Sequence, residues 1–301
     1  MTEAARIATL ISNPTTPAID AAALARAREA LPGAGQPVWL APGVAVDLPL
    51  APRAADDNRT LGLRLRAALD GLPVDVHVGP AAGRRKKLFV ADMDSTIIGQ
   101  ECIDELADLV GLKDHVAAIT ERAMRGEIAF EPALRERVAL LKGLKASVID
   151  EVIDSRITLT PGARALVRTM RANGAYAALV SGGFTLFTAR IADSVGFNEH
   201  RANTLLVGAG VLSGGVREPI LGAAAKLAAL RELTAAHGLR ADETLAAGDG
   251  ANDLDMLGAA GLGVAYHAKP AVAAAAALRI DHGDLTALLY AQGYAREEFV
   301  D

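Results

Sequence analysis

Two aspartates two residues apart, Asp92 and Asp94, stand in the segment VADMDST (90–96), directly after the apolar run KLFVA (87–91). Residues two apart on an extended segment point the same way. Two carboxylates placed so close repel unless a cation or a difference of role separates them. The arrangement suits covalent phosphoryl chemistry, in which one Asp attacks and the other handles protons. A polar strand-to-helix turn capped by Asp and Ser would use the same residues, and the spacing alone leaves both readings open.

Three further segments carry related chemistry. In AAGDGANDLDM (246–256) an apolar strand ends in an acidic, glycine-rich turn. Asp249, Asn252 and Asp253 offer hard oxygen donors of the kind magnesium takes. In VSGGF (180–184) Ser181 and the N–H groups around Gly182 could cradle a phosphate at a helix start. Lys226 lies in a helix of mostly Ala and Leu and, taken alone, reads as a solvated lysine. The acidic and glycine segments all fall at the C-terminal ends of predicted parallel strands, where such sheets bind ligands.

In this order (D-x-D-S/T, then Ser, then Lys, then G-D-x-x-N-D) the chain resembles the haloacid dehalogenase superfamily of phosphohydrolases. Glu101, nine residues after Asp92, the stretch Met124–Phe130 (MRGEIAF) and Arg137 extend the resemblance to its phosphoserine phosphatase branch, over roughly Lys86–Gly293. The resemblance implies Asp92 as nucleophile and Asp94 as acid and base. It implies magnesium held by Asp92, Asp249 and the Asp94 backbone carbonyl. Ser181, Gly182 and Asn252 would hydrogen-bond the phosphoryl oxygens, Lys226 would supply positive charge, and Asp253 would hold Lys226 or the metal shell. Glu101 would meet the amino group, and Arg137 the carboxylate, of O-phospho-L-serine. The expected reaction is hydrolysis to L-serine, the last step of phosphorylated serine biosynthesis in the family. A relative acting on another small monoester, or passing the phosphoryl group to another acceptor, shares these motifs. A P-type ATPase fragment does not fit, because no membrane span is expected and Asp92-Met-Asp stands in place of D-K-T. A non-catalytic amino-acid sensor is disfavoured by the intact Asp92, Asp94, Lys226 and Asp249.

These residues need a scaffold. Residues 1–80 read as strand, helix, strand, strand, helix, strand: strands at 6–12, 37–40, 44–48 and 74–78, helices at 17–31 and 58–70. This small α+β unit resembles, more faintly, the ACT-like modules found ahead of some of these phosphatases. Residues 79–85 read as a linker, and Arg84–Lys87 as its solvated edge. From 81 to 301 the α/β alternation predicts a parallel sheet with helices on both faces, the Rossmannoid sheet of the superfamily. A helical block at about 97–157 interrupts it and reads as an inserted cap. Further helices are expected at 163–172, 184–195 and 222–237, strands at 176–180, 244–247 and 263–266, and a hairpin around 208–210.

The chain has 301 residues, 22% charged and 51% hydrophobic, with a net charge of -5. The negative balance and 4% aromatics argue against nucleic-acid binding. A single cysteine, Cys102, excludes an internal disulfide or a multi-thiolate zinc site and reads as a small buried hydrophobe. Neither a signal peptide nor a membrane span is expected, so the expected location is the cytoplasm. ACT-like modules pair through sheets or helices, which leaves a homodimer open.

Overall fold

The computed structural model describes residues 5–50, 57–124 and 127–301. Arg125 and Gly126 of the quoted MRGEIAF stretch lie outside these, as do 1–4 and 51–56 of the expected first domain. The first unit holds β1 (Arg6–Ser12), α1 (Ala21–Ala30), β2 (Val38–Ala41), β3 (Ala45–Leu50), α2 (Asn58–Ala68) and β4 (Val74–Pro80). Its antiparallel sheet has the order β2-β3-β1-β4. Ala8 and Leu10 of the central strand face the helices with Val46, Leu48 and Leu65, while Ile11 joins the core of the larger unit. The period of two therefore buries both faces of β1.

Two boundaries differ from expectation. Helix α1 starts at Ala21, because Asp20 caps it by accepting from the Ala23 N–H at 2.7 Å; Pro17 lies ahead of the helix. The expected linker begins inside β4, and Arg84–Lys87 is not a solvated edge. Arg84 and Lys86 turn inward while Arg85 and Lys87 turn out. Arg84 pairs with Asp47 at 2.6 Å, and Lys86 donates to the carbonyls of Gly83 and Asp242.

The larger unit opens with β5 (Leu88–Ala91), followed by α3 (Cys102–Leu109), α4 (Lys113–Met124), α5 (Phe130–Ala139) and α6 (Val148–Arg156). Then come α7 (Ala163–Ala172), β6 (Tyr176–Phe184), α8 (Thr185–Val195), β7 (Glu199–Asn203), β8 (Leu205–Gly208) and β9 (Val211–Val216). The chain continues through α9 (Ala223–Ala236), β10 (Thr244–Gly248), α10 (Leu254–Ala259), β11 (Leu262–Tyr266), α11 (Pro270–Ala275), β12 (Leu278–Ile280) and α12 (Ala287–Ala291). Among the described residues the main sheet runs β12-β11-β10-β5-β6-β7, with every pairing parallel. Phe89 and Ala91 of β5 enter one core and Leu88 and Val90 the other, as a strand covered on both faces requires.

Strand β5 comes first in this unit yet lies between β10 and β6. The chain leaves it toward β6 and later returns on its other side at β10, so the C-terminal end of β5 is the switch point where such sheets open a crevice. Helices α3–α6 form the inserted block. The β8–β9 hairpin joins them rather than the main sheet: Gly143 and Leu144 exchange backbone hydrogen bonds with Leu212 at 2.9 and 2.8 Å.

Candidate active site

Three strand ends converge at the switch point. Asp92 extends β5, its N–H donating to the Ala247 carbonyl of β10 at 3.0 Å. Asp249 follows β10 directly, and Ser181 lies in the last part of β6. Strand β6 runs on to Phe184, so Gly182 and Gly183 sit in a bulged strand end rather than in the first turn of α8. The Gly183 N–H donates to Ser181 Oγ at 2.9 Å. The Gly182 carbonyl accepts from Asn203 Nδ2 at 2.8 Å, and the same side chain binds the Leu221 N–H and carbonyl. Asn203 thus braces the phosphate-side loop, a role that an isolated Asn at a strand end does not announce.

Lys226 is fully buried, contrary to its reading in isolation. It sits one turn into α9, and its ammonium lies 2.7 Å from Asp92 Oδ2 and 2.7 Å from Asp253 Oδ1. Burial alone would lower its pKa, but the Asp92 and Asp253 carboxylates outweigh it and hold the ammonium above the ordinary lysine range. Asp253 Oδ2 accepts from the Gly250 N–H at 3.1 Å. A Cβ at Gly248 would collide with the Asp253 carboxylate, so glycine is required where that side chain folds back over the strand end.

Carboxylates outnumber cations here. Oxygens of Asp92, Asp249 and Asp253 all lie within 4.8 Å of one another. Asp253 is committed to Lys226 and Gly250. The Asp249 carboxylate accepts no hydrogen bond among the described residues, and burial, then Asp92 and Asp253, push it up to about 7. Burial, then Asp92, pushes Asp253 to about 6 against the pull of Lys226. An all-oxygen donor set with surplus negative charge fits a hard divalent cation. The Asp94 side chain is not part of this cluster.

Asp94 meets the start of α3 instead. Its Oδ1 faces the Cys102 N–H at 3.4 Å, and its Oδ2 would lie 3.1 Å from a Cβ at Gly183. Burial, then Glu101 and Asp92, raise it well above the usual carboxylate range. Cys102 is buried, and burial and then Asp94 push its thiol well up, which leaves it a packing residue.

The inserted helices supply the outer wall. Ser95, at the positive φ of 55°, donates its hydroxyl to Glu101 Oε1 at 2.7 Å. Desolvation raises Glu101, the Ser95 hydrogen bond opposing it and Asp92 and Asp104 adding to it. Arg137 is anchored through Nε to the Ala133 carbonyl and through Nη1 to Thr120 Oγ1. Its Nη2 has no partner among the described residues. Burial lowers its pKa, while Asp104, Glu101 and Asp94 pull the other way. Phe130 closes over the strand ends, its ring 3.3 Å from where a Gly182 Cβ would be. Asn252 makes no hydrogen bond to the described protein, so its carboxamide is free for a ligand. All ten sequence-predicted residues thus gather around this one crevice, although nothing in the geometry alone assigns their roles.

Residues 89–258 match the sequence profile of haloacid dehalogenase-like hydrolases. The chain belongs to that family. Among haloacid dehalogenase-like relatives, the phosphoserine phosphatase of Streptomyces coelicolor is 42% identical over 294 residues, covering 97% of this chain and 71% of that one. A hydrolase of the family from Salmonella enterica serovar Typhi superposes with a TM-score of 0.85 at 29% identity, over 95% of this chain and 97% of that one. A substrate-bound phosphoserine phosphatase superposes with a TM-score of 0.63 at 38% identity, over 68% of this chain and 98% of that one.

Proposed function

We propose that this chain is a phosphoserine phosphatase, hydrolysing O-phospho-L-serine to L-serine and phosphate. The observation that carries the reading is one crevice with two chemically distinct walls. One is an Asp92–Lys226–Asp253 centre with spare carboxylate at Asp249; the other is Glu101 and Arg137 on the inserted helices. The first suits a phosphoryl group and the second an ammonium and a carboxylate.

Asp92 attacks phosphorus, forming the P–O bond to its carboxylate while the bond from phosphorus to the serine oxygen breaks. Asp94, raised by its surroundings, holds a proton and delivers it to the departing serine oxygen. As a carboxylate it then takes a proton from water, whose oxygen attacks phosphorus and releases phosphate, restoring Asp92. Lys226 neutralises charge at Asp92, and Asp253 fixes Lys226. Ser181, the Gly182 backbone and Asn252 orient phosphoryl oxygens. Magnesium is the metal we assign to Asp92, Asp249 and the Asp94 carbonyl; bound there, it supplies charge neutralisation between nucleophile and substrate. We take 1–80 as an ACT-like domain, 81–301 as the catalytic domain with its cap at about 97–157, and the protein as cytoplasmic, with a homodimer left open.

The test is phosphate release from L-phosphoserine with magnesium and with EDTA. Release that needs magnesium and exceeds that from other small phosphomonoesters supports the reading. Undiminished release in EDTA removes the metal, and a flat substrate panel removes phosphoserine.

A further inference from the structure

A second cavity, of about 610 Å³, lies apart from the catalytic crevice, between the start of α7 and the C-terminal segment. Its walls include Arg164, Arg168 and Arg296, the carboxylate of Asp284, and the rings of Tyr290 and Phe299. Three guanidinium groups face one concave surface, and each keeps N–H donors that have no partner among the described residues. Arg164 donates through Nε to the Ser194 carbonyl, and Arg168 through Nη1 to a main-chain oxygen of Asp301. Arg296 packs over Phe299 at 5.1 Å and lies 3.8 Å from Asp301 Oδ1. An acidic residue of the chain itself therefore already leans on two of the three arginines.

Asp284 gives the cavity its second character. It is 8% exposed, and its Oδ1 accepts from both the N–H and the hydroxyl of Thr286. Its Oδ2 has no hydrogen bond among the described residues. Burial raises Asp284, the Thr286 hydrogen bonds opposing. A buried carboxylate with a spare oxygen gains most from a donor that brings positive charge.

We propose that this cavity binds a small α-amino acid, its carboxylate on Arg168 and Arg296 and its ammonium toward Asp284. The site touches the returning linker of the cap. Leu159–Gly162 line it, Leu159 pairs with Ile98, and the Thr160 N–H donates to the Ile97 carbonyl at 3.0 Å. The other side of that linker is clamped to the cavity wall, the Leu285 N–H donating to the Pro161 carbonyl at 3.0 Å. A ligand here rests against the bridged segments, 97–98 and 159–160, that join the sheet to the cap.

Titration calorimetry on the full chain tests this without reference to turnover. The probes are L-glutamate and glutarate, which share a carbon skeleton and differ in the ammonium group. The expected result is saturable glutamate binding, with glutarate several-fold weaker. Replacing both Arg168→Gln and Arg296→Gln should weaken glutamate about ten-fold or more, the size of a lost charge-assisted contact. Asp301→Asn, which frees Arg296, should tighten it, and a folding defect cannot produce that result. Arg137→Ala should leave it unchanged. No saturable heat, equal affinity for glutarate, or binding lost in Arg137→Ala but kept in the arginine pair would overturn the proposal. The last would place the ligand in the catalytic crevice.

Discussion

Two buried acidic networks in this molecule look alike in composition and differ in completeness. At the seam between the two sheets, Asp75 accepts backbone N–H groups from Asp281, His282 and Gly283 at 2.8–3.3 Å. Beside it Arg84 bridges Asp47, Thr9 and the carbonyls of Tyr290 and Ala291. There the carboxylates meet their partners within the protein. At the strand ends, Asp92 and Asp253 share the ammonium of Lys226, while Asp249 accepts no hydrogen bond among the described residues and is only partly offset by the charge of Lys269. A buried carboxylate whose oxygens are satisfied joins elements; one left with spare oxygens is held ready for something outside the chain. Burial raises carboxylates in both networks, but backbone N–H groups pull Asp75 back, whereas neighbouring carboxylates push Asp249 and Asp94 further up.

The sharpest break between the two networks is chemical. Asp92→Asn should reduce turnover of every phosphomonoester by at least about 10³-fold, because it removes the proposed nucleophile, while Lys226 keeps its pair with Asp253 and stability falls less than in Lys226→Met. Parallel kinetics and melting curves check this. Lys226→Met should damage both properties. It removes the cation that balances Asp92 and Asp253, a loss of about 3–5 kcal/mol for a broken buried pair, read by denaturant unfolding. The seam should behave in the opposite way. Asp75→Ala leaves buried N–H groups unpaired and should cost about 1–3 kcal/mol, with kcat on p-nitrophenyl phosphate near wild type.

Legibility followed the same division. The strands carrying Asp92, Ser181 and Asp249 were readable because apolar runs of fixed length ended in acidic or glycine turns. The burial of Lys226 was not, since an Ala-Leu helix with one lysine has the same pattern whether that lysine meets solvent or two carboxylates. Its identity came from motif order. The inward turn of Arg84 and Lys86 was hidden because their partners, Asp47, Asp242 and Tyr290, come from elements distant in sequence. Strand β7 was not separated from the hairpin expected over 201–216, because Glu199–Asn203 is polar and lies at the sheet edge. Asn203 was therefore missed with it.

Smaller effects sharpen the contrast within the crevice. Arg137→Ala should raise KM for phosphoserine roughly ten- to a hundred-fold, the value of a charge-assisted contact, and leave p-nitrophenyl phosphate nearly unaffected. Equal damage to both substrates would make Arg137 a support for the inserted helices. The metal-free protein should also show a pH signature. Asp249 at about 7 and Asp253 at about 6 lie above their unfolded value of 3.8. The folded state therefore binds extra protons, and their stabilising effect is full below pH 4 and lost as pH rises through 6 and 7. A bound cation replaces those protons, so the gap in Tm between magnesium- and EDTA-treated protein should widen from acid to neutral pH.

The central claim is that the incompletely neutralised network does covalent phosphoryl chemistry at Asp92. Acid-quenching the wild-type protein during turnover of L-phosphoserine with magnesium, then digesting it with pepsin under acidic conditions, tests this directly. The peptide that contains Asp92 should carry one phosphoryl group located on that residue, hydroxylamine should remove it, and EDTA should prevent it. Rapid phosphate release with no acyl-phosphate trapped, or with the label on a residue outside this crevice, would contradict the account.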